Sequence, residues 1–299
     1  MKIGIFKPGK TVYFKDNSAD YAGWSFEVVK FFYLLKRHGH DVSMLSDNDT
    51  YPVVSTDNVF DRVFVFCGVF TDKDKAELDK IYNLSIRIDY IFTDYKLKPH
   101  LNMYTDWYTQ SPNVYTYCQF EQLVTLDFKF KDTIEESIAK KDDSKYRYYF
   151  GGGERGRTND FFEYVWRPDC TLSGKSTTLG FDNRVGYKEH QSNMKKAKYG
   201  IVIADVEYNT VNWLTPRYYE NIMNDVISFV DCKYDNAELM IQKDDFRRVS
   251  NYLELAEKMN TLDENPVLYR HILEKQRTEL TPKMIVGDNI YNHIFKHDS

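Results

Sequence analysis

The chain has 299 residues, 42% of them hydrophobic, and a formal net charge of −5 at pH 7. This length suffices for one large α/β domain or two medium-sized ones, and the hydrophobic content can supply both cores. An acidic chain has no general attraction for nucleic acid, so a nucleic-acid partner would have to meet a local basic patch.

The cysteines and the apolar runs indicate the compartment. Cys67, Cys118, Cys170 and Cys232 are scattered, without a CxxC pair or a neighbouring His. We interpret them as reduced thiols of a cytoplasmic protein rather than as disulfides or zinc ligands. Residues 1–30 lack a signal-peptide core, and no apolar run reaches the ~20 residues of a membrane span. We therefore expect a soluble protein with no membrane partner.

The first half of the chain alternates strands with helices. The predicted elements are a strand at Lys2–Lys7 that ends in Pro8-Gly9, a helix at Ser25–Arg37 and a strand at Asp41–Leu45. Two further strands, Val63–Phe66 and Ser85–Phe92, flank a polar helix at Lys73–Asn83. This alternation predicts a Rossmann-like parallel sheet with ligands at the carboxyl ends of its strands. Asp94 follows such an end.

Between Phe128 and Lys145 the chain is rich in charges of both signs, and we interpret this segment as the connection between two domains. A second series follows, with strands at Tyr146–Phe150, Gly200–Ile203 and Val226–Val230, and with helices at Asn159–Trp166 and from Arg217. The tail from Val249 to Gln276 predicts two helices broken at Asn265-Pro266, and Asp288–Lys296 predicts a final helix.

Two distant segments of the second half carry the clearest chemical pattern. Gly151–Arg157 is a strand that enters a glycine turn, and Thr215–Glu220 is a helix start with Arg217 and Glu220 three residues apart. A helix start and nearby arginines attract a diphosphate, while a Glu on the same face can accept from ribose hydroxyls. The pattern therefore predicts a nucleotide-sugar site. The alternative for Arg217 and Glu220 is an ordinary surface ion pair.

The same region resembles a known family. Asn212–Glu220, followed by Asp225–Asp231, is similar to the donor-binding segment of the T-even phage DNA β-glucosyltransferases, and Lys2–Gly9, Asp61–Phe66 and Tyr90–Asp94 match in the same order. The resemblance implies an α/β protein of the GT-B fold. In this fold two Rossmann-like domains face each other across a cleft, and the C-terminal helix crosses back to the first domain. We expect an acceptor domain at residues 1–140, completed by 283–299, and a nucleotide-sugar domain at 141–282.

The resemblance also assigns roles to the residues that match it. Asp94 matches the catalytic base, although an Asp after a strand commonly caps a turn or a helix instead. Glu27 matches a glutamate that contacts the transferred sugar, with a surface Glu in a first helical turn as the alternative. Lys96 and Lys98 follow Asp94 and would contact DNA, although they also fit an ordinary solvated face.

The remaining matches concern UDP. Gly9 is a tight-turn glycine, and Gly152 and Gly153 let the chain close on phosphate. Arg155 matches an arginine on the pyrophosphate, and Arg157 takes the place of a second, at a spacing two residues shorter than in the family. Gly186-Tyr187-Lys188 matches a loop at the nucleobase, and Tyr208 takes the place of a tyrosine near the phosphates. Arg217 and Glu220 match in residue type, in spacing and in the strand that follows.

The resemblance implies an inverting glycosyltransferase of phage DNA modification. It would move glucose or arabinose from a UDP-sugar to the hydroxymethyl group of a modified pyrimidine, 5-hydroxymethylcytosine, in double-stranded DNA, and so shield the DNA from nucleases. We expect a monomer in the cytoplasm of the infected host cell, with no obligatory cofactor or metal site and with a divalent ion compatible with the reaction. The alternatives are a GT-B enzyme that acts on a saccharide or small molecule, and an inactive nucleotide-binding or DNA-binding module.

Overall fold

The computed structural model describes residues 1–6, 13–15, 18–20, 26–45, 59–66, 72–84, 86–92, 114–116, 130–154, 156–203, 217–234, 241–284, 291–292 and 294–295. The chain forms two compact units, which we call unit 1 (residues 1–127 and 286–299) and unit 2 (residues 128–285). This division falls after residue 127, earlier than the boundary expected after residue 140.

Unit 1 is built on a parallel sheet. Its elements in chain order are β1 (Lys2–Phe6), β2 (Tyr13–Lys15), β3 (Ser18–Asp20), α1 (Phe26–Arg37), β4 (Asp41–Leu45), β5 (Arg62–Phe66), α2 (Asp72–Asn83), β6 (Arg87–Phe92) and β7 (Val114–Thr116). The sheet order is β4-β1-β5-β6-β7 with every described pair parallel, and β2 and β3 form a separate antiparallel pair. The predicted strands and helices of this half are present within a few residues.

Strand β5 shows that side chains of helices pack on both faces of this sheet. All its residues are buried, as is typical of a strand with a layer on each face. Because side chains alternate, Phe64 and Phe66 share one face, where Phe31 of α1 meets their rings at 4.9 and 5.6 Å. Val63 and Val65 lie on the other face and join a core with residues of α2.

The C-terminal segment around residues 291–295 packs on unit 1. Arg62 of β5 is buried, pairs with Asp89 and donates to the carbonyl of Ile294 at 3.4 Å. Its guanidinium lies over the rings of Phe64 and Phe295, at 4.6 and 4.8 Å from their centroids. Tyr291 adds an oxygen–nitrogen contact of 2.7 Å to His40 Nε2. The described residues of this segment are helical, within the range Asp288–Lys296 that was predicted as a helix.

Unit 2 is built on a second, mostly parallel sheet. Its elements are α3 (Ile134–Asp142), β8 (Tyr146–Gly153), α4 (Thr158–Asp160), β9 (Cys170–Ser176), β10 (Phe181–Asp182), α5 (Tyr187–Lys195), β11 (Ala197–Val202), α6 (Arg217–Met223), β12 (Ile227–Asp231), β13 (Arg248–Val249), α7 (Tyr252–Glu264) and α8 (Pro266–Met284). The sheet order is β10-β9-β8-β11-β12-β13, and within this sheet β9 and β10 pair antiparallel while the other described pairs are parallel. Strand β8 therefore lies inside the sheet, next to β9 and β11.

The segment Phe128–Lys145 is not only a connection, contrary to the interpretation of its charges. It contains α3, which Thr133 and Glu136 begin with a reciprocal capping box. Arg277 of α8 donates to the carbonyl of Asp132 at 2.9 Å and to Ser137 Oγ at 2.6 Å. The charges of α3 thus lie on a helix of unit 2, whose apolar stripe is short: Ile134 and Ile138 pack against the core.

Three further features of unit 2 differ from the predictions. Strands β9 and β10 were not predicted, because Cys170–Ser176 has no apolar run. The expected loop Gly186-Tyr187-Lys188 is the start of a helix instead, with Gly186 as the N-cap and Lys188 in the first turn of α5. The helix predicted at Asn159–Trp166 is α4 followed by a π-helical turn at Phe161–Val165.

The core of unit 2 joins the inner strands to the C-terminal helices. Tyr199 and Phe229 from β11 and β12 pack with Leu255 and Leu273 from α7 and α8. Pro266 begins α8, so the helix break predicted at Asn265-Pro266 is confirmed. None of the described helices is long and apolar enough to cross a membrane.

Candidate functional site

The candidate site of unit 2 begins where β8 ends in Gly151, Gly152 and Gly153. Arg157 donates to the carbonyl of Gly153 through Nε at 3.1 Å and Nη2 at 2.9 Å, and to the carbonyl of Ile203 through Nη1 at 2.6 Å. The carbonyl of Ile203 follows β11, the neighbour of β8. Arg157 therefore ties together the chain segments that leave two adjacent parallel strands at the same edge of the sheet, where ligands of such sheets bind.

Glu154 fixes the turn that follows the glycines. Its carboxylate accepts from Thr158 Oγ1 at 2.7 Å, Ser176 Oγ at 2.7 Å and the backbone N–H of Thr178 at 3.1 Å, and it also contacts the Thr178 hydroxyl. The hydrogen bond from Thr158, followed by those from Thr178 and Ser176, lowers the pKa of Glu154 to about 2. Glu154, directly after the glycine run, thus anchors the end of β8 to β9 and to the segment after it.

Arg217 and Glu220 form an ion pair in the first turn of α6. Arg217 Nη1 lies 2.8 Å from Glu220 Oε2, with 3% of the Glu220 side chain and 19% of the Arg217 side chain exposed. Spacing of i and i+3 puts both side chains on one helix face. A buried carboxylate that holds a partly exposed guanidinium differs from the exposed surface pair considered as the alternative, so the structure excludes that alternative for Glu220.

His190 of α5 contacts both members of this pair. Its Nε2 lies 2.5 Å from Arg217 Nη1 and 3.9 Å from Glu220 Oε2, and its Nδ1 lies 2.8 Å from Tyr149 Oη. Because a guanidinium has donors only, His190 Nε2 must accept from Arg217. The proton of the neutral ring is then on Nδ1, which donates to Tyr149.

Gly151 makes room for this histidine. A Cβ atom on Gly151 would lie 2.2 Å from His190 Cε1 and 2.6 Å from Nδ1. Any side chain at this position would therefore push the imidazole away from β8. Gly151 thus leaves space for the imidazole of His190, whereas the carbonyl of Gly153 accepts hydrogen bonds from Arg157.

The electrostatics of the cluster follow from burial and from one cation. Burial, followed by the neighbouring Arg217, lowers the pKa of His190, so the imidazole is neutral at pH 7. Burial acts to raise the pKa of Glu220, but Arg217 and His190 outweigh it and lower the pKa, so the carboxylate is charged. Burial raises the pKa of Tyr149 to about 12. The cluster therefore contains one cation, one anion and two neutral rings.

The structure describes only part of the predicted site. Gly152, Gly153, Arg157, Arg217 and Glu220 lie in unit 2 as described above. Glu27 and Lys188 lie in the first turns of α1 and α5, and their side chains are not described. The other predicted site residues lie outside the described residues: Gly9, Asp94, Lys96, Lys98, Arg155 and Tyr208.

Sequence reasoning missed three residues of the candidate site: Tyr149, Glu154 and His190. Tyr149 and Glu154 flank the glycine run, so their proximity to the site was available from the sequence. His190 is 27 residues from Arg217 along the chain. Only its place four residues after Gly186 links it to the site, and this spacing has no meaning until the helix is known.

Comparison with solved structures identifies the fold. T4 phage β-glucosyltransferase in complex with UDP and Mn²⁺ matches with a TM-score of 0.70 at 19% sequence identity, and the match covers 99% of each chain. A structure of the DNA-modifying enzyme β-glucosyltransferase, studied with and without uridine diphosphoglucose, matches with a TM-score of 0.69 at the same identity and coverage. Neither a protein-family model nor a curated protein sequence matches the chain.

The two parallel sheets and this likeness define the class of structure. The chain has an α/β fold of the GT-B type. More particularly, the fold is that of the T4 phage β-glucosyltransferase, which confirms the fold expected from the resemblance.

Proposed function

We propose that this protein is a glycosyltransferase that takes its sugar from a UDP-sugar. We further propose that it transfers the sugar, glucose or arabinose, with inversion to the hydroxymethyl group of a modified pyrimidine, 5-hydroxymethylcytosine, in double-stranded phage DNA. The bound ligand of one structural neighbour is UDP, and another neighbour is described as a DNA-modifying enzyme. Both statements concern those proteins, and they support the choice of donor and acceptor for this chain.

The arrangement of Arg217 and Glu220 carries the proposal. A partly exposed guanidinium and a buried, charged carboxylate lie side by side in unit 2, in a fold that a UDP-binding enzyme shares over 99% of its length. A guanidinium binds diphosphate oxygens by charge-assisted hydrogen bonds, and a carboxylate accepts from the two hydroxyls of a ribose. The two functions need opposite charges at adjacent positions, which this pair supplies.

Unit 2 holds the donor in this proposal. Arg217, Arg155 and Arg157 face the diphosphate, with Gly152 and Gly153 allowing its approach. Lys188 and Tyr208 complete the nucleotide site. As the bond between the sugar C1 and the diphosphate oxygen breaks, negative charge develops on UDP, and these cations stabilise it. Catalysis on this side needs no covalent intermediate.

Unit 1 supplies the acceptor chemistry. Asp94 takes the proton of the acceptor hydroxyl, whose oxygen then attacks the sugar C1 from the side opposite UDP, so the configuration at C1 inverts. Glu27 and Gly9 contact the donor from this unit. Lys96 and Lys98 grip DNA phosphates, because a base inside a duplex must leave the stack before its substituent can react.

The proposed protein acts as a monomer in the cytoplasm of an infected cell, and it needs no resident metal. Within the described ranges no group of three His, Cys, Asp or Glu side chains could hold a metal ion. A divalent ion would be held by the diphosphate itself and would help UDP to leave. Adding a chelator should then slow turnover without abolishing it, which is measured as the rate of UDP release.

The transfer itself is tested with defined substrates. The protein is incubated with UDP-glucose or UDP-arabinose and with duplex DNA that contains either 5-hydroxymethylcytosine or cytosine, and UDP release and nucleoside mass are followed. We expect UDP release and an added hexose or pentose only with the hydroxymethylated duplex. Transfer to saccharides but not to DNA would favour the small-molecule enzyme. UDP binding without any transfer would favour an inactive binding module.

A further inference from the structure

The mechanism above gives no role to His190, although this residue is placed as firmly as any in the site. The side chain is 5% exposed, and it lies between β8 and α6. Polar groups meet both ring nitrogens, and Gly151 accommodates the ring edge. A histidine that only filled core volume would not need this set of partners.

The hydrogen bonds have a defined direction. Arg217 Nη1 donates to His190 Nε2, and the same nitrogen of Arg217 lies 2.8 Å from Glu220 Oε2. The Nη1 group of Arg217 therefore has two acceptors, the neutral imidazole of His190 and the carboxylate of Glu220. A long arginine side chain loses considerable rotamer freedom when a ligand immobilises it, and partners that hold it beforehand reduce this loss.

The neutral state of the imidazole is essential to this arrangement. A proton on Nε2 would remove the acceptor and place a second positive charge against Arg217. Among the described residues, the charged or titratable groups that contact His190 are Tyr149 from β8, and Arg217 and Glu220 from α6. Protonated His190 would turn its new donor to Glu220, which lies 3.9 Å away, and would compete with Arg217 for that carboxylate.

We propose that His190 is a positioning residue for the donor: as a neutral hydrogen-bond acceptor it orients Arg217 toward the diphosphate and keeps Glu220 paired with Arg217. This inference rests on the proposed function, because the orientation matters only if a nucleotide diphosphate binds there. It adds a second residue of α5 to the proposed donor site, after Lys188. It also predicts that donor binding weakens in acid through His190.

Two substitutions separate hydrogen bonding from packing. His190→Leu keeps an apolar body of similar size but removes the acceptor, whereas His190→Gln offers an amide oxygen near the position of Nε2. We expect His190→Leu to weaken UDP-glucose binding by roughly 10-fold, the effect of losing a hydrogen bond to a charged group, and His190→Gln to stay within about 3-fold of the unchanged protein. Affinity is measured by isothermal titration calorimetry.

Gln191→Leu is the matched control. Gln191 is the next residue of α5, and its Oε1 accepts at 2.7 Å from the side chain of Asn224, which directly follows α6 at the end opposite Arg217. This change also removes a hydrogen bond of α5, so a general weakening of the helix would appear in both variants. Thermal unfolding of each variant shows whether it is folded at the temperature of titration. Equal loss of affinity in Gln191→Leu and His190→Leu would overturn the positioning role.

The pH profile gives a readout that packing would not change. UDP-glucose is used because its diphosphate does not titrate near neutrality, so the profile reports on the protein. As the pH falls below 6.5, the ordinary pKa of an imidazole, the affinity of the unchanged protein should fall once His190 gains a proton, and His190→Gln should lack this step. The same step in both proteins would assign it to another group and overturn the proposal.

A spectroscopic measurement tests the inference without any ligand. In protein labelled with ¹⁵N-histidine, His190 should be the neutral tautomer with its proton on Nδ1 at pH 7, assigned by comparison with His190→Gln. An Nε2–H tautomer or a charged ring would overturn the hydrogen-bond direction. If the unchanged protein binds no UDP-glucose, the proposed function fails, and the donor role of His190 fails with it. If it binds UDP-glucose and His190→Leu binds equally well, only this inference fails.

Discussion

Arg217 illustrates how a single cation can be prepared for an anionic ligand. Its carboxylate partner is buried while 19% of its own side chain is exposed, so the charge is fixed from within the protein and part of the side chain is accessible to solvent. Arg217→Ala should weaken UDP binding by roughly 10- to 100-fold, the range expected for one charge-assisted hydrogen bond. Calorimetric titration with UDP measures this change.

The control for Arg217 is another arginine of unit 2. Arg184 pairs with Asp182 at 2.6 Å, and the two side chains are 41% and 40% exposed, so this is a surface pair. Arg184→Ala should leave UDP affinity unchanged. If both variants bind UDP as tightly as the unchanged protein, the donor site is not at Arg217.

Asp94 carries the chemical step in the proposal, and its substitution separates catalysis from binding. Asp94→Asn keeps the shape of the side chain but cannot take a proton at neutral pH. Transfer to hydroxymethylated DNA should be lost, while UDP affinity should stay within about 2-fold, because the proposal assigns the arginines that bind the diphosphate to unit 2. A variant that still transfers sugar at the normal rate would show that another group is the base.

The low pKa of Glu154 predicts how the stability of the folded protein changes in acid. Its pKa is about 2 in the folded protein, below the ordinary value of 4.5. The unfolded chain therefore binds more protons between these two values. The stabilising contribution of Glu154 is present above pH 4.5 and is lost as the pH falls through 2. Glu154→Gln should lower the melting temperature at pH 7, and the difference from the unchanged protein should shrink in acid. A constant difference across this range would contradict the assignment.

At the scale of elements, a lysine joins two helices of unit 2. Lys141 of α3 is 3% exposed and donates to the carbonyls of Met194, Lys195 and Ala197 at 3.3, 2.9 and 2.6 Å. Met194 and Lys195 are the last two residues of α5, where a helix leaves carbonyls without an intrahelical partner, and Ala197 begins β11. Lys141→Met should lower the free energy of unfolding by about 2–3 kcal/mol, because buried carbonyls lose their donor.

Lys140→Met provides the comparison, measured in the same urea unfolding series. Lys140 is the neighbouring residue of α3, its side chain is 62% exposed, and it pairs with Asp132 on the surface. Its substitution should change stability by less than about 0.5 kcal/mol. Equal effects of the two substitutions would mean that the buried contacts of Lys141 do not support α5.

The elements also show what the sequence could and could not predict. Strands β5 and β12 are apolar runs, and the helix break at Pro266 follows from a missing N–H, so local chemistry was sufficient. Strand β9 has no apolar run, because it pairs with the glycine end of β8. A Cβ on Gly174 would lie 1.7 Å from the carbonyl oxygen of Gly152. This requirement comes from the partner strand and leaves no local pattern.

The candidate site likewise contains residues that local sequence predicts and residues that depend on contacts between distant elements. Arg217 and Glu220 were predictable because both lie on one helical turn, and the resemblance matched their spacing. His190 was not predictable, since its role depends on the packing of α5 against β8 and α6. Contacts between elements distant in sequence are thus the part of this site that required coordinates.

At the scale of the whole molecule, unit 1 is completed by a segment that follows unit 2 in the chain. Phe295 stacks with His40 at 5.1 Å and lies against Arg62. Phe295→Ala should destabilise unit 1 by about 2 kcal/mol, since both a ring contact and a cation–π contact are lost. Hydrogen exchange should increase in β5 and remain unchanged in β8, while UDP affinity is retained.

Leu253→Ala is the control for Phe295, because Leu253 is a large hydrophobic side chain with 73% exposure. Its exchange pattern should match that of the unchanged protein. If Phe295→Ala increased exchange in β8 as much as in β5, the two units would not unfold separately, and the C-terminal segment would stabilise the entire molecule.

The contacts of the buried Arg62 determine which unit can complete its folding first during synthesis. Until residues 294 and 295 have left the ribosome, Arg62 lacks the Phe295 ring and the Ile294 carbonyl that help to enclose it. Unit 2 is continuous in sequence, so its translation ends before that of the segment which closes unit 1. The amino-terminal half, although made first, therefore matures last, and a nascent chain arrested before residue 290 should expose β5 to protease.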